Sequence, residues 1–238
     1  VCLRGLGYHG NPAGQRDAAE RLHGIAVRDA ANVLIAGNRI RHTHPRRHGD
    51  GGSGVSVTRR CSDVWVVGNR IQEYGDRGVQ VGGRPIVVSG NEITTGLDRA
   101  ISCDLWYPRG RNHAAGNVSV FGNLLGNSVE GSLVGIARNT TRPPDGGHVT
   151  VFGNLGFGSH KSFCHVRGPE ALRNVSVENN ASSHEVAGLE TDHTTYAGVA
   201  IDVASGRNFT VRGNALYGYS GHGVHVNADV RDVTIQHN

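Results

Sequence analysis

Methionine is absent from this 238-residue chain, aromatic residues make up only 5% of it and charged residues 18%. That balance excludes a coiled coil, a helical bundle and a disordered chain together. No apolar run reaches the roughly 18 residues of a membrane span. Val1-Cys2-Leu3-Arg4 also lacks the charged, then apolar, then small-residue order of a signal peptide, so no membrane partner is expected. The four cysteines, Cys2, Cys61, Cys103 and Cys164, form no CxxC pair and no metal-ligand spacing, which removes the reason to expect thiolate-bound zinc. Two of them, Cys103 and Cys164, fall at inward strand positions, where a thiol serves as a small apolar filler.

What the chain does have is glycine, 36 residues of it, and a formal charge of +4 with 14 histidines besides. Many tight turns follow from the first. A mildly basic surface that gains charge as pH falls through the histidine range follows from the second, and it suits an anionic partner.

An apolar-x-apolar-x-Gly-Asn pattern recurs along the chain. It runs through Val33-Leu-Ile-Ala-Gly-Asn38, Val64-Trp-Val-Val-Gly-Asn69, Ile86-Val-Val-Ser-Gly-Asn91 and Val118-Ser-Val-Phe-Gly-Asn123. It continues in Val149-Thr-Val-Phe-Gly-Asn154, Val175-Ser-Val-Glu-Asn-Asn180, Phe209-Thr-Val-Arg-Gly-Asn214 and Val233-Thr-Ile-Gln-His-Asn238. The closing asparagines are 31, 22, 32, 31, 26, 34 and 24 residues apart, so a core turn near the shortest spacing carries insertions of variable length. Each unit holds a further strand of period two, as in Gly24-Ile-Ala-Val27, Gly54-Val-Ser-Val57, Gly78-Val-Gln-Val81 and Gly223-Val-His-Val226, and a short piece after the Asn, as in Arg39-Ile40. Strands this short cannot bury a face alone. Stacked in parallel at about 4.8 Å per turn they line an interior with Val and Ile. The fold class predicted is all-β, a single-stranded parallel β-helix of about eight rungs with three strands each, one domain over residues 1–238. Repeat-like sequence running to Asn238 leads us to expect a piece of a longer chain lacking its caps. The recurrent Asn tolerates a left-handed backbone at a sharp bend, and its amide can bond the Asn above and below. The sequons at Asn117, Asn139, Asn174, Asn180 and Asn208 are expected as by-products of that repeat rather than as glycosylation sites.

The Gly-x-apolar-x-apolar, short turn, apolar-x-apolar-x-x-Asn unit resembles the right-handed β-helix repeats of the pectate lyase superfamily over nearly the whole chain. The resemblance implies the right-handed fold and a groove over the first strand of each rung. It leaves chemistry open, because that superfamily includes polysaccharide lyases, glycoside hydrolases, uronan epimerases, phage tailspikes and accessory proteins.

Period two then names the outward residues of the first strands: Ala26 and Arg28, Ser56 and Thr58, Gln80 and Gly82, Ser102 and Asp104, Gly135, His165 and Arg167, Ala200 and Asp202, His225 and Asn227. Turns entering this strand add Asp76-Arg77 and Asp98-Arg99 at one repeat position, a pair of stacked carboxylates that can hold Ca²⁺ or tune a general acid, Ca²⁺ being the one cofactor considered. Long insertions follow the fourth and fifth first strands, at Leu105–His113 and Arg138–His148. The expected site therefore lies on rungs four to six. Asp98, Asp104, His165 and Lys161 are its catalytic candidates, and Arg99, Arg138, Arg167, Gln80 and His160 its substrate-binding candidates, with Trp106 and Tyr107 as a stacking wall. A uronate polymer presents one carboxylate per sugar for arginine to clamp. Removing the acidic proton beside that carboxylate needs a base and a cation, whereas hydrolysis needs two flanking carboxylates, for which Asp98 and Asp104 are nearest.

Two motifs are weighed and set aside. His42-Thr-His44 with His48 and Asp50 lacks a partner rung of metal ligands. Ser220-Gly-His222-Gly223 is similar to a Gly-His-Gly motif of polygalacturonase-type hydrolases, but without their paired aspartates or Arg-x-Lys signature. Outward Leu34, Trp65 and Val87 on second strands predict a covering segment or subunit. The leading expectation is a secreted or periplasmic enzyme acting on an acidic polysaccharide, with a tailspike-like adhesion module and a structural spacer as the alternatives. Nucleic acid is not expected as a partner.

Overall fold

The computed structural model describes residues 2–9, 23–43, 52–58, 61–82, 85–104, 117–128, 131–137, 148–159, 161–167, 173–184 and 198–238. Their strands form three all-parallel sheets of nine, eight and eight strands, each strand but those at the sheet ends pairing with its counterparts one turn before and one turn after. The chain thus coils through the three sheets in turn, and its contacts run along the stack. The first strands are Ile25–Arg28, Val55–Thr58, Val79–Val81, Ile101–Asp104, Val134–Ala137, Cys164–Arg167, Val199–Val203 and His222–Val226, which define rungs one to eight.

Inward residues from all three sheets close one core of stacked Val and Ile. Val79, Ile101, Val134 and Cys164 are direct register partners on successive rungs, and each is fully buried. Each such side chain contributes about 1.5–3 kcal/mol relative to exposure. Cys103 and Cys164 are among these fillers, and burial, helped by the Asp202 charge, pushes the Cys164 thiol up to about 12.

The asparagine column is a ladder with one sense. The main-chain N–H and Nδ2 of Asn38 both donate to Oδ1 of Asn69, at 3.0 and 2.8 Å. Asn69 does the same to Asn91, and the pattern repeats through Asn123, Asn154, Asn180 and Asn214 to Asn238. The bend is made differently from the expectation. The left-handed residue is the one before each Asn, such as Gly37 and Gly68 at φ 62°, with Asn179 and His237 in that role where glycine is missing. The ladder Asn is there for its amide.

Two further bends carry left-handed residues that no repeat pattern announced. Asn32, Asp63, Asn117, Asn174, Asn208 and Asp232 turn the chain into the second strands, and His42, Glu73, Thr95 and Asn127 turn it at the end of the third. A ninth second strand, Cys2–Arg4, pairs with Leu34 to Ala36 below the first expected unit. Leu6 stands in its ladder position, so only its main-chain N–H reaches Asn38 Oδ1, at 2.9 Å. On the outward face of the second strands, Trp65 is 40% exposed while Leu34 and Val87 are half-buried. Exposed apolar surface extends past them to Phe121, Phe152, Leu124 and Leu155 on either side of the Asn bend.

Candidate functional site

The first-strand sheet presents one outward residue per rung in strict register. Ala26, Ser56, Gln80, Ser102, Gly135, His165, Asp202 and His225 form a single row. Outward is not the same as open, because Ser56 and Ser102 are only 3% and 0% exposed and so belong to the floor of the face. Gln80 is half-buried and accepts a hydrogen bond from Ser56 Oγ at 3.3 Å. Main-chain register also aligns Asp104, Ala137 and Arg167, so Asp104 and Arg167 sit two rungs apart on one line.

The two Asp-Arg turns, which are equivalent in sequence, behave differently. Arg77 Nη1 pairs with Oδ2 of its own neighbour Asp76. Asp98 and Arg99 both lean onto the following rung. A Cβ on Gly131 would lie 2.3 Å from Asp98 Oδ1, and one on Gly135 would lie 2.3 Å from Arg99 Cδ and 2.6 Å from its Nε. Arg99 therefore crosses the sheet toward His165, and its buried Nε has no hydrogen-bond partner among the described residues.

His165 is the centre of this end of the row. Burial lowers its pKa, Arg99, Arg167 and Lys161 lower it further, and only Asp202 opposes them. A neutral imidazole beside two arginines is the protonation state a general base requires. Asp202 Oδ2 lies 3.7 Å from His165 Nε2, and Asp202 Oδ1 accepts a hydrogen bond from His225 Nδ1 at 2.9 Å. The His225 ring stacks on His222 with centroids 5.9 Å apart.

Of the expected site residues, Asp98, Arg99, Gln80, Lys161, His165 and Arg167 share this face, and the main chain of Asp104 does too. Lys161 and Arg167 are exposed at its rim. Arg138, Trp106, Tyr107 and His160 lie outside the described residues. Sequence reasoning placed Asp202 and His225 in the outward row but left them out of the site. The available signal was their register with His165, one and two rungs on. It also set aside His222, which stacks on His225.

His42 Nδ1 pairs with Glu73 Oε2, while His44, His48 and Asp50 lie outside the described residues. Among the described residues, no group of three or more His, Cys, Asp or Glu side chains is gathered as a metal site. What the face can do chemically is bind an anion on Arg99 and Arg167 and exchange a proton through His165.

No family model and no curated protein matches the sequence. Solved structures do match. DFA-IIIase from Arthrobacter chlorophenolicus A6, without its lid and in complex with GF2, superposes with a TM-score of 0.66 at 16% identity, covering 89% of this chain and 49% of that one. Alginate lyase from Paenibacillus sp. str. FPU-7 matches with a TM-score of 0.53 at 14% identity over 91% of this chain and 77% of that chain. PfbA, a surface adhesin of Streptococcus pneumoniae, matches with a TM-score of 0.50 at 11% identity over 82% and 46%. The chain spans about half the length of the DFA-IIIase it matches. Likeness at such identities shows the fold alone, and it shows that this chain is a right-handed parallel β-helix.

Proposed function

We propose that the protein acts on an acidic polysaccharide by removing the proton α to a uronate carboxylate, the first step shared by lyases and uronan epimerases. The observation that carries this reading is His165, held toward its neutral form on the groove face with Arg99 and Arg167 beside it. In this scheme Arg99 and Arg167 bind the sugar carboxylate and stabilise the enolate-like charge, and His165 takes the C5 proton. The electron pair left on C5 then either expels the O4 leaving group, giving a double bond, or is reprotonated from the other face. Paired carboxylates for hydrolysis are less well supported, because Asp98 leans onto Gly131 and Asp202 is engaged by His225. The alginate lyase among the similar structures agrees in substrate class with this proposal. Such a substrate implies work outside the cytoplasm, which we propose as the location.

The test is incubation with polygalacturonate, alginate and neutral glycans in deuterated water. The expected outcome is loss of the C5 proton signal from an acidic polymer, with or without new double bonds. Unchanged polymers with retained binding would instead favour the adhesion reading, which the likeness to a surface adhesin supports.

A further inference from the structure

Every rung of the outward row carries a side chain except rung five, where Gly135 stands between Ser102 and His165. Its backbone does not call for glycine, since Gly135 is absent from the left-handed residues and lies within the regular strand Val134–Ala137. Glycine in a strand interior weakens the strand and marks a close approach by something else. Here the visitor is Arg99, whose Cδ and Nε occupy the space a Cβ would need.

The preceding rung supplies an internal comparison. Arg77 holds the same place in the same Asp-Arg turn, but the rung after it presents Ser102, and Arg77 Nη1 pairs with Asp76 Oδ2. Arg99, which has glycine on the next rung, extends over that rung. We propose that Gly135 is a positioning residue, whose missing side chain lets Arg99 cross one rung and set its guanidinium beside His165 as the clamp for a substrate carboxylate. The carboxylate role rests on the function proposed above, while the crossing itself does not. Among the described residues, His165 is faced by Asp202 from the next rung with His225 behind it, by Arg99 across Gly135, by Lys161 on its own turn and by Arg167 on its own strand. Taking Arg99 away must therefore change its titration.

The experiment follows the His165 imidazole by NMR titration in the full chain, in Gly135→Ala, in Arg99→Met and in the double variant. The expected result is an upward shift of about half a unit or more in both single variants, with no further shift in the double. In parallel, trigalacturonate and trimannuronate binding should weaken about tenfold or more in each single variant, the scale of one charge-assisted contact. A Gly135→Ala titration identical to the parent, while Arg99→Met shifts, overturns the proposal, and so does a titration that neither variant moves. If Gly135→Ala loses thermal stability, Gly135→Ala/Arg99→Ala should regain it, because the clash is gone; a double variant as unstable as the single would also overturn it. Shifted titrations with no oligouronate bound by any variant, parent included, would leave the positioning role standing and remove the proposed function.

Discussion

A ladder asparagine does several jobs at once, and no other residue type can do them all. Asn123 accepts from the main-chain N–H and Nδ2 of Asn91 and donates to Asn154 Oδ1 and to the Val88 carbonyl, all with the side chain buried. Asn123→Ala takes the side-chain partner from the buried Asn91 main-chain N–H and from the Val88 carbonyl and breaks the ladder on both sides, each buried group left unpaired costing about 1–3 kcal/mol. A loss of roughly 3 kcal/mol or more is expected from urea unfolding, against less than about 0.5 kcal/mol for Ser119→Ala on the open face. The same geometry bears on Asn180, whose sequon is embedded in the ladder. His165 allows a second test at this scale. Its folded pKa lies below the ordinary value of 6.5, so the unfolded chain binds more protons in the interval between the two. Its contribution to stability is thus full above pH 6.5 and is lost as pH falls from there toward the lowered pKa. His165→Gln should flatten that part of the stability profile, read as the difference from the parent protein between pH 7 and pH 5.

At the scale of elements, the inward column of the third-strand sheet depends on gaps as much as on fillers. Tyr74 is fully buried under Gly96, where a Cβ would come within 1.9 Å of its ring. Gly96→Ala should cost about 1–3 kcal/mol by overpacking, and Tyr74→Leu in the same chain should restore part of it in a thermal melt. Such pairings were not legible in the sequence, since nothing in a one-rung repeat says which neighbour's ring fills a glycine's space. What was legible is the strand set, because Val-x-Val alternation and the Asn column repeat with few exceptions. The ninth second strand was missed for a physical reason: Leu6 replaces the Asn that marks each unit, so the motif breaks while the register continues. The bends at Asn32, Asp63 and Asn117 were missed because Asn and Asp serve many local roles, and only the backbone φ separates them.

For the whole molecule, the stack turns sequence distance into proximity along a single axis. Asp202 and His165 lie 37 positions apart in the chain yet are register partners. The groove face could be read from period two alone, whereas the extension of Arg99 over Gly135 could not, because a one-rung repeat does not say which side chain fills a glycine's space. Arg99, His165, Asp202 and His225 come together along rungs five to eight, overlapping the expected site on rungs four to six. The most direct measurement is the ultraviolet absorbance of new double bonds, or C5 proton exchange where none form, with polyuronates as substrates for the parent protein and for His165→Gln. The account expects reaction on an acidic polymer, none on neutral glycans, and a loss of about a hundredfold or more in the variant. Undiminished turnover by His165→Gln, or turnover confined to neutral glycans, would contradict it.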